Sequence, residues 1–107
     1  MNYQLFVFCP DDENVINNII DAASAEGAGI VGNYSHCAFV TRGSSQWKSE
    51  PGTHPHEGKV GKLTKVIGAK IEMICPKEKR IAVAKAIRKV HPYEEPDIQF
   101  VQIESTI

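Results

Sequence analysis

The chain has 107 residues, 42% of them hydrophobic and 23% charged, with a formal net charge of −1. That supports one domain with its own core and excludes the basic field that nucleic acid or an anionic membrane would require. No apolar run approaches the ~20 residues of a membrane span, and the opening MNYQLFVFCP lacks a basic n-region and a cleavage site.

Tyr3 to Cys9 is a short, aromatic-rich apolar run stopped by Pro10, which predicts a strand. Asp11 and Asp12 are N-cap candidates for a helix whose apolar positions Val15, Ile16, Ile19, Ile20 and Ala23 recur at helical spacing. Gly27 and Gly29 supply the positive-φ positions that end it. The run GAGIVG at 27–32 fits the G-x-G-x-x-G pattern of dinucleotide sites. It lies between a helix and a following strand, however, so no helix N-terminus meets a phosphate, and it reads as helix stop and turn.

Residues 33–42, NYSHCAFVTR, predict a second strand, and 43–61 is a long polar connection full of breakers. Residues 62–75, KLTKVIGAKIEMIC, restore strand character, with Gly68 as a candidate bulge. PKEKRIAVAKAIRKV opens with Pro76 and places Ile81, Val83, Ala84, Ile87 and Val90 on a helical stripe. Pro92 ends that helix at His91, and Asp97–Ile103 is the last strand.

The order β-α-β-β-α-β predicts an α+β, ferredoxin-like fold over residues 1–107, with two helices on one face of an antiparallel sheet. Leu5, Val7 and Cys9 face one way and Phe6 and Phe8 the other, as Ile98 and Phe100 oppose Val101 and Ile103. Two helices cover one face, so the second apolar face calls for another subunit. Cys9, Cys37 and Cys75 are odd in number and lack C-x-x-C spacing, which predicts free thiols and the cytoplasm.

Connectivity brings the end of the first strand, the 43–61 connection and HPYEEP (91–96) to one end of the sheet. The i, i+2 pair His54 and His56 has the spacing to chelate one divalent metal ion, with His91 or Glu94 as a third ligand. HPYEEP is also a well-built turn, in which Pro92 stops a helix, Pro96 extends Glu95 and Tyr93 can bury its ring. A third alternative makes His91 and Glu94 an acid–base pair, with no nucleophile near them in sequence.

HPYEEP resembles the HPYE-type motif of CutA-like proteins, which share the trimeric ferredoxin-like fold of PII signalling proteins. With GAGIVGNYSHCAF, GTHPHEG and KIEMIC, the chain resembles over nearly its whole length the CutA/PII-like domain inserted in YqfO (Nif-three-like) proteins, and that domain's stand-alone relatives. In YqfO proteins the paired metal site belongs to flanking domains. The resemblance implies a trimeric, non-enzymatic module that binds a small ligand or a protein partner around Trp47, His91, Tyr93 and Glu94. The alternative it implies is a CutA-like divalent metal binder using His54, His56 and His91. Where relatives are expected to read G-x-G-x-F-x-P, this chain has Gly43, Ser45, Trp47 and Ser49.

Overall fold

In the computed structural model, which describes residues 1–107, alternation in the first strand sets the plan of the molecule. β1 (Asn2–Pro10) buries Leu5, Val7 and Cys9 on one face and turns Phe6 and Phe8 to the other. α1 (Glu13–Ala25) begins where the Asp12 carboxylate accepts the Val15 N–H at 3.1 Å, the cap expected from sequence. The helix packs Ile16, Ile19 and Ala23 onto the sheet. Gly27 (φ 112°) and Gly29 (φ 69°) then turn the chain out of it.

β2 (Phe39–Lys48) and β3 (Leu63–Pro76) form an antiparallel hairpin. A single 3-10 turn at Lys77–Lys79 leads into α2 (Arg80–Val90), and β4 (Asp97–Ile103) closes the sheet. The order β2-β3-β1-β4, antiparallel throughout, is the ferredoxin-like arrangement the element order predicts. Ala69, Ile71, Met73 and Cys75 of β3 meet the β1 residues and Val83 and Ile87 of α2 in one core, with Ile98 and Phe100 packed at its margin. Each large aliphatic chain buried there is worth ~1.5–3 kcal/mol.

Four local expectations are corrected. β2 starts at Phe39 rather than at residue 33. Val31 and Tyr34 exchange two backbone hydrogen bonds of 2.9 Å around Gly32-Asn33, and His36 takes a positive φ of 59°, so the chain there is a tight turn and a bend. Residues 43–48, expected as loop, are strand, because Leu63 to Gly68 offers them a ladder. Gly68 is not a bulge: it sits in continuous register between Pro10 and Gly43. On α2, Ile81 is 73% exposed and leaves the stripe, which Val83 and Ile87 carry.

β1 ends opposite Gly68, whereas the β2–β3 ladder continues from Ser44↔Ile67 to Lys48↔Leu63. That overhang is a two-stranded arm projecting past the sheet, and it stretches the molecule to 45 × 24 × 23 Å.

The helix-free face carries Phe6, Phe8, Phe39 and Val101, as the alternation predicts, with Phe39 69% and Val101 48% exposed. Lys70 crosses this face with its ammonium 4.4 Å from the Phe6 ring centre and 6.0 Å from that of Phe8. No helix is long and apolar enough to cross a membrane. The three cysteines are free, and burial pushes the Cys9 and Cys75 thiols up to about 11.

Candidate functional site

The connection expected from sequence to be long and structureless is shorter and tied down at both ends. Gly61 N–H donates to the Ser49 carbonyl at 2.6 Å, closing its base beside the Ser49–Val60 bridge. Inside it, the N–H and hydroxyl of Thr53 both donate to the Glu50 carbonyl, at 3.3 and 2.7 Å. At its tip, the Glu94 carboxylate accepts the His54 backbone N–H at 2.9 Å and faces His54 Nδ1 at 3.0 Å. Those two hydrogen bonds hold the Glu94 carboxyl below the usual carboxylate range.

His91 anchors the other side. As C-cap of α2 it takes an extended conformation (ψ 132°), as a residue before proline must. Its Nε2 lies 2.8 Å from the Phe8 carbonyl, and its Nδ1 lies 3.1 Å from the Tyr93 N–H. A carbonyl only accepts and an N–H only donates, so the neutral ring carries its proton on Nε2. Burial, followed by the nearby His56, lowers the His91 pKa, with the Phe8 bond opposing. The ring thus ties the end of β1 to the HPYEEP turn.

Tyr93 is the hub of the aromatic contacts. Its ring centre is 4.9 Å from that of His91, 5.7 Å from that of Trp47 and 6.0 Å from that of His56, with the planes tilted 47–57°. Trp47, expected in a loop, stands on the arm in β2, opposite Thr64. Between arm, loop and turn opens a cleft of about 390 Å³, lined by Phe8, Trp47 and Tyr93, by Pro55 and His56, and by Glu57, Glu94, Glu95 and Asp97. A second hollow of about 240 Å³ adjoins it, sharing Phe8, Ser45 and Tyr93.

Of the ligand-site residues expected from sequence, Trp47, Tyr93 and Glu94 line the cleft, and His91 stands behind Tyr93. The metal set is not assembled. No three His, Cys, Asp or Glu side chains converge to hold an ion. His54 Nδ1 is engaged by Glu94, and both ring nitrogens of His91 are engaged by backbone groups. His91 and Glu94 are likewise bound to different partners, the Phe8 carbonyl and Tyr93 N–H for one and His54 for the other. Sequence reasoning did not single out Phe8, Glu57, Glu95 and Asp97 as site residues. Their one sequence signal is position at the same end of the fold.

No family model matches the chain. Among curated proteins it is 42% identical over 94 residues to a GTP cyclohydrolase 1 type 2 homolog of Halalkalibacterium halodurans, covering 88% of this chain and 25% of that protein. It is 41% identical over 80 residues to the Bacillus subtilis protein of the same description, covering 75% and 21%. The chain thus spans about a quarter of the length of the curated relatives it matches. Among solved structures, a Bacillus cereus protein related to NIF3 superposes with TM-score 0.81 at 30% identity, over 97% of this chain and 26% of that one. The periplasmic divalent cation tolerance protein CutA of Archaeoglobus fulgidus superposes with TM-score 0.72 at 15% identity, over 100% and 88%, a likeness of fold.

Proposed function

Because the chain is a CutA-like domain related to one segment of the NIF3-type proteins, we propose that it is a binding module of the PII/CutA type. In this reading it is cytoplasmic, trimeric and without catalysis of its own, and it takes a small ligand or a partner's side chain at the end of the sheet where arm, loop and turn meet. The observation that carries this reading is the cleft of about 390 Å³, a volume within the range of small-molecule sites, with aromatic walls and a few charged groups. The residues around it are held by backbone and loop contacts rather than poised as nucleophile and base. Self-association is supported by the exposed Phe39, Val101 and Phe8 on the helix-free face. The number three rests on the resemblance to CutA and PII proteins.

A thermal-shift screen of nucleotides, organic acids, divalent ions and organic amines tests the reading. At least one compound should raise the melting temperature of the wild type and fail to raise that of Trp47→Ala. A flat response across all four classes would overturn it.

A further inference from the structure

The chemistry around the cleft selects the charge of its occupant. Building on the ligand-binding reading above, we propose that the cleft takes an organic cation, an alkylated ammonium seated against Trp47 and Tyr93 with Glu95 and Asp97 as counter-charges.

The walls come first. Trp47 and Tyr93 meet at 5.7 Å with their planes tilted by 57°, so they form a corner rather than a stacked pair, and Phe8 lines the same space. Ring faces carry negative electrostatic potential, and several of them around one space are how proteins hold alkylated ammonium groups. This molecule already pairs an ammonium with aromatic rings alongside, where Lys70 lies over Phe6 and Phe8. Lys70 lines the neighbouring hollow and not the cleft itself, and neither Trp47 nor Tyr93 has a cation over its ring.

The charges agree with the walls. Four carboxylates line the cleft (Glu57, Glu94, Glu95 and Asp97) against one lysine, Lys48. Lys48 is drawn to Glu50, 3.8 Å away, and Glu94 is occupied by His54. Glu57, Glu95 and Asp97 appear in none of the ion pairs of the chain. α2 also ends at Val90, beside this site, and its C-terminal carbonyls carry partial negative charge that Arg88 and Lys89 in the last turn partly offset. A phosphate or carboxylate ligand would meet that field with only Lys48 and the His56 imidazole as basic groups in the lining. A bare metal ion is disfavoured for a different reason: no three ligating side chains converge, and the space is far larger than an ion.

Trp47 is the only tryptophan, so its fluorescence reports occupancy directly. Choline is the cationic probe, 3,3-dimethylbutanol its neutral isostere, and ATP and citrate are the anionic probes, all titrated into the full chain near neutral pH. Choline should bind saturably and shift Trp47 emission, with the neutral isostere weaker by about tenfold or more. The double variant Glu95→Gln, Asp97→Asn changes exposed positions. It should melt like the wild type and bind choline about tenfold more weakly. Trp47→Leu, followed by calorimetry, should lose binding. Saturable binding of ATP or citrate without choline would overturn the cation assignment and leave the ligand-binding reading standing. Silence from every probe would count against both, and unaltered choline affinity in the double variant would overturn the counter-charge assignment.

Discussion

His91 gives the sharpest test of how this end of the molecule is held. His91→Phe keeps a planar ring of similar bulk but can neither donate to the Phe8 carbonyl nor accept from the Tyr93 N–H. A buried polar group left without its partner costs about 1–3 kcal/mol, and both bonds are only partly buried, so the two together should cost about 2–3 kcal/mol. For a domain this size each kcal/mol moves the melting temperature by about 4–8 °C, so the variant should melt about 10–20 °C lower at equal protein concentration. His91→Gln, whose amide can restore the donor to Phe8, should recover part of that loss. The pH profile adds a second signature. Folding lowers the His91 pKa below its ordinary value of 6.5. As pH falls through that value, the unfolded chain binds a proton that the folded ring refuses, so stability falls with pH. Above it the contribution is complete, and His91→Phe lacks it at every pH. Urea melts should therefore show the wild type's advantage shrinking between about pH 7 and pH 5. A variant within about 0.5 kcal/mol of wild type, or a gap that ignores pH, would refute the bridging role assigned to this ring.

Further outcomes are expected elsewhere. Phe6→Asp and Val101→Asp should each weaken self-association, measured by light scattering, more than Lys79→Glu in the 3-10 turn or Lys89→Glu on α2; a stable wild-type monomer at micromolar concentration would remove the premise. Gly29→Ala should destabilise by at least about 2 kcal/mol in chemical denaturation, because φ is 69° and the new methyl would stand 2.6 Å from Met73 Cε and 2.8 Å from the Cys37 carbonyl. In a thiol titration of the folded protein Cys37 should react first, with Cys9 and Cys75 following only on unfolding, since both are buried and titrate at about 11. Glu94→Gln should speed amide exchange at His54 and its loop neighbours while leaving the β1–β3 ladder protected; unchanged exchange at His54 would mean that the loop is held by its own turns alone.

What the sequence made legible follows the physics of burial. Elements with one face against the core write their period into the chain, which is why β1, α1 and β4 were predictable, within a residue at each end where the expected bounds were stated. β2 has no such face along the arm: GSSQWK is exposed on most of its length, and its strand state comes from the β3 ladder beside it. Backbone pairing leaves no hydrophobic period to read, so Trp47 was expected in a loop. The turn at Gly32-Asn33 shows the converse, since NYSHCAF carries strand-like residues but a Gly-Asn pair and His36 at positive φ bend it first. The meeting of Phe8, the loop and HPYEEP at one end was legible, because connectivity alone brings them there. The partners of the individual side chains were not. The i, i+2 spacing of His54 and His56 suggested a chelate, whereas Glu94, forty residues on, engages His54, and the Phe8 carbonyl of β1 engages His91. Histidine nitrogens are claimed by whatever donor or acceptor the fold delivers to them, and long-range delivery of that kind leaves no local pattern. What lines the cleft is the Trp47 and Tyr93 rings and three carboxylates outside any ion pair, Glu57, Glu95 and Asp97 (the last also accepting from the Gln99 amide), and those are groups that attract a positive charge.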